Sequence, residues 1–244
     1  MPRFFVSKNL ICNNVVNIEG DDARHIARSL RMAVGDEITV SDGEGTEYAC
    51  RLTKIRDELC EAELLEERHG AGEPSAHIVL YMAYPKGDKL EVVIQKAVEL
   101  GASEIVPFES ERCIKRPKAE KIEKQTARLQ RIAEEAAKQC GRSKVPTVLP
   151  PASFKSAIEQ AASCELSLFC YEGESDKSLK NALSSLSSPK SISLIVGSEG
   201  GFSPEEAEYA AKCGCTSVSL GKRILRCETA PLFVLSALSY IFEL

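Results

Sequence analysis

The chain has 244 residues, which is enough for one large domain or two modest ones. Its hydrophobic content of 43% and charged content of 27% are ordinary for a soluble globular protein. No apolar run approaches the length of a membrane span, and the N-terminus lacks the long apolar core of a signal peptide. We therefore predict a cytoplasmic protein without a membrane partner. The net charge of −5 argues, taken alone, against nucleic-acid binding.

The ten cysteines do not form a metal-binding pattern. They are spread from Cys12 to Cys227 without a C-x-x-C pair, and the three histidines do not cluster with the nearest two, Cys213 and Cys215. Free buried thiols in a reducing compartment are the expected state. We predict no bound metal.

Residues 1–70 are predicted to form a small β-barrel with one helix. The strands are expected at residues 3–6, 37–55 (a hairpin that turns at 42–45) and 59–67. Asp21 or Asp22 caps the helix, and Gly35 ends the connection that follows it. Residues 68–76 contain Gly, Glu, Pro and Ser without periodicity and indicate a linker. The predicted domains are therefore 1–70 and 77–244.

From residue 77 the sequence alternates between strand and helix patterns. Strands are predicted at 77–84, 104–108, 166–171, 191–196 and 216–220. Helices are predicted at 89–100, about 118–140, 178–186, 204–213 and 229–242. This alternation is typical of an α/β fold with a parallel sheet and helices on both faces.

The glycine-rich stretch LIVGSEGGFSPEE, residues 194–206, joins a buried strand to a helix capped by Ser203. Ligands of open α/β sheets bind at such strand ends. The stretch has neither the dinucleotide nor the P-loop pattern, and Glu199 lies where an anion would have to sit. It therefore favours a neutral or cationic ligand. The alternative is a tight turn in which the glycines serve sterics alone.

Two more loops follow predicted parallel strands, LFCYEGES at 168–175 and LGKRILRC at 220–227. In the second loop, Arg223 and Arg226 flank an Ile-Leu pair. Each could be merely a connection. Because carboxyl ends of parallel strands share one edge of the sheet, the three loops could also converge on one pocket.

Basic residues are concentrated in two places. Residues 115–144 hold ten Lys or Arg against four acids, with Lys121, Lys124, Arg128 and Arg131 opposite the apolar face of the predicted helix. Residues 1–70 are acidic, nine bases against fourteen acids, yet Arg24, Arg28 and Arg31 share one helical face beside His25. Both clusters are candidates for phosphate contact. The alternatives are a solvated charged face and internal salt bridges to Glu19, Asp21 or Asp22.

Over essentially its whole length the chain resembles the bacterial 16S ribosomal RNA uridine-N3 methyltransferases of the SPOUT class. The shared segments are the N-terminal RFF, RHIARSLRMAVGD, PKGDKLEVVIQKAVELGASEIVPFESER, EEAAKQCGRSKVP, GSEGGFSPEE and LGKRILRCETAP. The last two are highly specific in order and spacing. Three positions depart from the family pattern: Ser198 stands for Pro, Cys227 for Thr and Cys113 for Ser. The change at Cys227 puts a hydroxyl contact there in doubt.

The resemblance implies a C-terminal α/β domain with a trefoil knot, a PUA-like N-terminal barrel that holds RNA, and a homodimer. It implies S-adenosylmethionine as cofactor. The implied cofactor-binding residues are Leu168, Phe169, Cys170, Tyr171, Glu172, Gly197, Ser198, Glu199, Gly200, Gly201, Leu220, Gly221, Ile224, Leu225, Arg226 and Cys227. The RNA-binding candidates are Arg3, Arg24, His25, Arg28, Arg31, Lys121, Lys124, Arg128 and Arg131.

The expected reaction is displacement of the methyl group by N3 of a uracil in the RNA of the small ribosomal subunit. Arg226 or Arg223 would stabilise the anion that develops as the N3 proton leaves. Glu199 is a candidate proton acceptor, or else a support for its loop. The alternatives are methylation of another RNA or atom, such as the ribose 2′-oxygen, and a non-catalytic RNA-binding protein. A nucleotide-dependent oxidoreductase is disfavoured because its G-x-G-x-x-G motif is missing.

Overall fold

The structure is a computed structural model that describes residues 1–70, 72–114, 116–117, 119–184 and 188–244. The chain forms two compact units. Unit 1 comprises Met1–Glu73 and Ala137–Val145, and unit 2 comprises Pro74–Ala136 and Pro146–Leu244. Within the described ranges, no helix has the length and apolar character that crossing a membrane requires.

Unit 1 contains a six-stranded sheet that curls into a half-barrel. Its strands are β1 (Arg3–Phe5), β2 (Ile11–Cys12), β3 (Val15–Glu19), β4 (Glu37–Ser41), β5 (Thr46–Lys54) and β6 (Leu59–His69). They are ordered β1-β4-β5-β6-β3-β2, with β1 parallel to β4 and the other neighbours antiparallel. Alternate residues of β3 to β6, such as Ile38, Val40 and Leu52, are buried in one core. The predicted hairpin at 42–45 is confirmed.

The sequence prediction missed the hairpin formed by β2 and β3. Asn13 and Asn14 join the two strands, and both have positive φ, at 52° and 65°. Asparagine tolerates this left-handed region better than most residues, so the Asn-Asn pair was an available turn signal. β3 escaped notice because only Val16 and Ile18 carry its apolar alternation.

The helix of unit 1 is shorter and less regular than predicted. The α-helical part, α1, spans Gly20–Arg24, and a π-helical turn follows at His25–Ser29. Arg31 lies beyond the turn with a φ of 51°. The expected face shared by Arg24, Arg28 and Arg31 is therefore wrong at Arg31, because the wider π turn and the left-handed residue break the 3.6-residue period.

Unit 2 contains a parallel sheet with the helices expected of an α/β fold. Its strands are β7 (His77–Ala83), β8 (Glu104–Glu109), β9 (Thr147–Val148), β10 (Ala152–Ser153), β11 (Leu166–Cys170), β12 (Ser191–Val196) and β13 (Thr216–Val218). They follow the order β10-β8-β7-β12-β11-β13, with β9 beside β8, and every pairing is parallel. The predicted α/β class with a parallel sheet is confirmed.

The helices of unit 2 agree with most of the predicted positions. They are α2 (Lys89–Glu99), α3 (Ile122–Cys140), α4 (Phe154–Ala161), α5 (Leu179–Ser184), α6 (Pro204–Lys212) and α7 (Thr229–Phe242), and the last turn of α3 belongs to unit 1. The prediction missed α4, β9 and β10. The predicted start of the long helix at Lys118 and the predicted helix end at 185–186 lie outside the described residues, as does the basic residue Lys115.

The core of unit 2 forms where apolar strands are covered on both faces. In β12, the side chains from Ile192 to Val196 are at most 2% exposed. The predicted apolar face of α2 is confirmed, since all five of its members are buried. Phe202, which follows the glycine-rich loop, packs on Phe169 of β11 with ring centroids 4.3 Å apart. This contact anchors the loop to the sheet.

A buried ion pair fixes the segment that the sequence indicated as a linker. The carboxylate of Glu73 accepts hydrogen bonds from Arg142 Nη2 at 2.7 Å and from the backbone N–H groups of Ser143 and Lys144, both at 2.9 Å. Burial works to raise the pKa of Glu73, but Arg142 and the backbone donors outweigh it and lower that pKa. This carboxylate is thus one of the contacts that hold the second chain segment in unit 1.

Replacing Glu73 with Ala should lower the free energy of unfolding by about 3 kcal/mol, because Arg142 is left buried without its counter-charge. Urea denaturation at neutral pH measures the difference. Glu63→Ala on the exposed face of β6 is the control and should cost less than about 0.5 kcal/mol.

The effect of Glu73 should also depend on pH. Folding lowers its pKa from the ordinary 4.5, so its contribution is fully present above pH 4.5 and is lost as the pH falls through the lowered value. Equal stability of wild type and Glu73→Ala at neutral pH would contradict the assigned role.

Candidate active site

One cavity lies at the carboxyl ends of three neighbouring strands, β12, β11 and β13. Its volume is about 540 Å³. Its walls come from the three loops that follow these strands, together with Lys89 at the start of α2 and Ala230 in α7. The parallel register places Cys170 opposite both Val196 and Val218, so the three loops leave the sheet at the same level.

Most of the residues predicted to bind a cofactor line this cavity. They are Cys170, Tyr171, Glu172, Gly197, Ser198, Glu199, Gly200, Gly201, Leu220, Gly221, Ile224, Leu225, Arg226 and Cys227, and Arg223 lies with them. Leu168 and Phe169 do not, because both side chains are buried inside β11. Sequence reasoning missed Lys89, Val196, Ser219 and Ala230. Lys89 had a usable signal, since it follows the carboxyl end of β7, the strand next to β12.

The glycine-rich loop ends in a double cap at α6. Ser203 Oγ accepts from the N–H of Glu206 at 3.3 Å, and Glu206 Oε2 accepts from the N–H of Ser203 at 3.0 Å. This confirms the predicted Ser203 cap, and Glu206 completes it as a capping box. The other oxygen of Glu206 accepts from the N–H of Glu111 at 2.8 Å. One buried carboxylate therefore fixes the helix start and the loop after β8 together.

The chain's own packing explains two of the glycines. A Cβ at Gly200 would lie 2.9 Å from Arg112 Cβ and 3.2 Å from the Arg112 carbonyl oxygen. Arg112 also donates from Nη1 to the carbonyl oxygen of Gly200 at 3.1 Å. Gly201 has a φ of 63°, in the region that glycine adopts without strain. Close approach of another backbone, rather than of a phosphate, is sufficient reason for a bare loop here.

Glu199 is held by the start of α2. Its carboxylate accepts from the N–H of Lys86 and from Lys89 Nζ, both at 3.0 Å. Burial favours a higher pKa for Glu199, but these hydrogen bonds prevail and its pKa is lowered. Of the two roles considered for Glu199, the contacts favour support of the loop, because an anchored carboxylate of low pKa is a weak base.

The two cysteines of the cavity are protonated at neutral pH. Burial raises the pKa of Cys170 to about 12. Burial and the neighbouring Glu228 raise the pKa of Cys227 to about 12, and Cys227 Sγ donates to Glu228 Oε2 at 3.2 Å. The raised pKa values favour the thiol form of both side chains over the thiolate.

Arg226 combines a fixed backbone with an exposed guanidinium. Its carbonyl oxygen accepts from the N–H groups of Thr229 and Ala230 at 2.8 and 2.9 Å, so the first turn of α7 holds it. Its side chain is 83% exposed, with Nη1 4.0 Å from Glu228 Oε1. Arg223 is exposed in the same loop. Both cations are available at the mouth of the cavity.

The predicted RNA-binding residues of unit 1 divide into two groups. Arg3 is mostly buried and pairs with Glu47 at 2.6 Å, which is a structural contact. Arg24 pairs with Asp21, and Arg28 pairs with Asp57. His25 and Arg31 are exposed. Of the acidic partners considered from the sequence, Asp21 pairs with Arg24 of this cluster, whereas the partner of Arg28, Asp57, was not foreseen.

All four predicted cations of this region are exposed: Lys121 in the turn before α3, and Lys124, Arg128 and Arg131 on α3. Arg128 pairs with Glu91 at 2.9 Å, and Arg131 pairs with Glu135 at 3.3 Å. Among the residues that the structure describes, no ion pair is recorded for Lys121 or Lys124. The same described residues contain no group of three His, Cys, Asp or Glu side chains that could hold a metal ion.

Comparison with known families matches both parts of the chain. Residues 72–239 match the RNA methyltransferase domain, and residues 18–65 match the RNA methyltransferase PUA domain. The chain belongs to this RNA methyltransferase family. The cavity described above lies entirely within the matched methyltransferase domain.

Similar proteins carry one shared name, ribosomal RNA small subunit methyltransferase E. The Bacillus subtilis protein is 35% identical and aligns over 93% of this chain and 91% of its own length. The Mesomycoplasma hyopneumoniae protein is 36% identical, with coverages of 97% and 98%. A crystal structure of the Neisseria gonorrhoeae protein, bound to S-adenosyl methionine, has a TM-score of 0.89 and 35% identity, with coverages of 99% and 98%.

A methyl group at position 200 should disturb the cavity loop. Gly200→Ala should lower the free energy of unfolding by about 1–3 kcal/mol, because the new Cβ presses on the backbone of Arg112. Thermal and urea unfolding of the variant measure this loss. An unchanged stability would show that the loop shifts freely and that Arg112 does not constrain it.

Proposed function

We propose that this protein transfers a methyl group from S-adenosylmethionine to N3 of a uridine in the 16S RNA of the small ribosomal subunit. The observation that carries the proposal is the cavity made by the loops after β11, β12 and β13 in a chain of this family. The relatives named for small-subunit RNA methylation support the substrate, and the Neisseria structure supports the cofactor.

The cavity suits the proposed cofactor in shape and charge. Val196, Leu220 and Ala230 offer apolar surface to an adenosine, and a Cβ at Gly221 would meet no atom within 4 Å. Glu172 and Glu199 line the cavity and suit a ligand that carries a sulfonium and an ammonium. When bound, S-adenosylmethionine supplies an electrophilic methyl group.

The proposed nucleophile is a ring nitrogen of the uracil. The raised pKa values of Cys170 and Cys227 disfavour the thiolate that would be needed to activate a pyrimidine carbon. In the transfer, the N3–CH3 bond would form as the S–CH3 bond breaks, S-adenosylhomocysteine would leave, and the N3 proton would pass to solvent water. Loss of that proton places negative charge on the uracil oxygens, which the guanidinium groups of Arg226 and Arg223 would stabilise. Alignment of the two reactants in the cavity supplies a further part of the rate.

The uracil must be unpaired or turned out of its stack, since N3 lies on the base-pairing edge. In this proposal, exposed basic side chains hold the surrounding RNA backbone: His25 and Arg31 in unit 1, and, in unit 2, Lys121 just before α3 and Lys124 in its first turn. The exposure of these side chains fits phosphate contact.

The proposal includes a homodimer, a trefoil knot and a cytoplasmic location. Large apolar side chains on α7 remain exposed, among them Phe233 at 44%, Tyr240 at 73% and Ile241 at 46%. Such a face supports contact with a second copy of the chain. The knot follows from the family resemblance, and the location follows from the ribosomal substrate.

The decisive experiment supplies small ribosomal subunits that lack the modification with radiolabelled S-adenosylmethionine and identifies the labelled nucleoside by mass spectrometry. The expected product is 3-methyluridine. A label on a ribose oxygen or on another base would move the target. Cofactor binding without any transfer to subunits or to free RNA would overturn the proposed substrate.

Arg226→Ala should lower kcat by about 10²–10³-fold, because one donor to the developing anion is removed. Its Kd for S-adenosylmethionine should change little, since the guanidinium is 83% exposed. Single-turnover methyl transfer and calorimetry measure the two quantities. Lys222→Ala, in the same loop, is the matched control and should retain kcat. Equal kcat values for the two variants would remove Arg226 from the mechanism.

The double variant Lys121→Ala/Lys124→Ala should weaken RNA binding in a salt-dependent way. The slope of log K against log salt should fall by about 1 for each phosphate that the protein no longer neutralises. Filter binding at several salt concentrations gives the slope. Lys212→Ala, whose ammonium pairs with Glu208, is the control. An unchanged slope would place RNA elsewhere on the protein.

A further inference from the structure

Lys89 is a cavity residue whose side chain touches two other segments of the chain. Its Nζ lies 3.0 Å from Glu199 Oε1 in the glycine-rich loop and 3.2 Å from Glu228 Oε2 before α7. It also lies 3.9 Å from Cys227 Sγ. Lys89 itself begins α2, after β7. One ammonium therefore links the connections that follow β7, β12 and β13.

The surroundings of this ammonium are partly shielded from solvent. The side chains of Lys89, Glu199 and Glu228 are 33%, 29% and 24% exposed. The pKa of Lys89 is raised, first by the hydrogen bond to Glu199, and the pKa values of both glutamates are lowered. All three groups are charged at neutral pH, and partial burial strengthens their attraction.

Removing the ammonium would leave two carboxylates on opposite loops without the charge between them. The two carboxylates are both negatively charged and would repel each other, so the loops that carry them would move apart. The thiol of Cys227 would also be left without the ammonium beside it. The loop from Gly221 to Arg226 would then depend on the first turn of α7 for its anchorage.

We propose that Lys89 is a positioning residue that clamps the loops at 197–201 and 221–228 together and thereby sets the affinity of the cavity for its cofactor. This inference rests on the proposed function. Lys89 holds the walls through Glu199 and Glu228, and it takes no proton in the reaction. In this proposal, Glu199 is one of the two carboxylates that Lys89 holds, and this role accounts for a carboxylate in the glycine-rich loop.

The test compares Lys89→Met, which removes the charge and keeps the length, with Lys89→Arg, which restores it. Lys96→Met is the matched control, because Lys96 lies on the same helix and pairs locally, with Glu99. The first readout needs no cofactor: the rate of tryptic cleavage after Arg223 and Arg226, followed by mass spectrometry. The second is the Kd for S-adenosylmethionine by calorimetry, together with KM and kcat.

Lys89→Met should be cleaved in the loop at least about tenfold faster than wild type, and its Kd and KM should rise about tenfold, which corresponds to the loss of one partly shielded ion pair. Its kcat at saturating cofactor should fall much less. Lys89→Arg should recover most of the loss, and Lys96→Met should behave as wild type. Adding Glu228→Gln to Lys89→Met should cost less than the two single changes predict, because one repelling charge is gone.

If Lys89→Met had the same cleavage rate and the same Kd as the wild-type protein, the proposed role of Lys89 would be wrong. The proposed role would also be wrong if the loss of cofactor affinity in Lys89→Met were no larger than the loss in Lys96→Met. Suppose instead that the loop of Lys89→Met is cleaved faster but the wild-type protein does not bind S-adenosylmethionine. The role of Lys89 in holding the loops would then stand, and the proposed function and the proposed effect on cofactor affinity would both be wrong. The two failures are therefore distinguishable.

Discussion

Parallel pairing of β11 with both β12 and β13 is the constraint on which the candidate site depends. In a parallel sheet, all carboxyl ends lie at one edge, and the register aligns Cys170 with Val196 and Val218. The loops that follow must therefore start side by side. Since β11 and β12 are almost completely buried, the sheet cannot shift its register without exposing apolar side chains. The cavity is a consequence of hydrophobic burial in these two strands.

The charged side chains of unit 2 form groups of opposite sign in different places. The carboxylates of Glu172 and Glu199 line the cavity, and Glu199 shares the ammonium of Lys89 with Glu228. The exposed residues Arg223 and Arg226 lie at the mouth of the cavity, and the exposed residues Lys121 and Lys124 lie at the start of α3. A cationic cofactor and an anionic nucleic acid need opposite fields. The chain meets both needs at a net charge of −5, which is why the total charge is a poor guide to its partner.

Sequence patterns predicted well those elements whose stabilising interactions join residues close together in the chain. The Ser203 cap, Pro204 and Glu206 are a sequence signature because a capping box depends on residues three apart. The five-residue apolar face of α2 follows from helical period in the same way. The short strands β9 and β10 were missed because each pairs with β8, which is distant in the chain. The π turn at His25–Ser29 was missed because its hydrogen bond, from the N–H of Leu30 to the carbonyl oxygen of His25, departs from the helical period that the prediction assumed.

The sequence alone determined the α/β class, the family and the three loops, because strand period, caps and a specific run of residues are all written in consecutive positions. Only the tertiary structure decided what individual side chains do. It showed that Arg3 is held by Glu47, that Glu73 is the partner of Arg142, and that Lys89 reaches Glu199 from another loop. Such pairs join residues up to 110 positions apart, and the folding of the sheet brings them within hydrogen-bond distance. No local pattern encodes that distance.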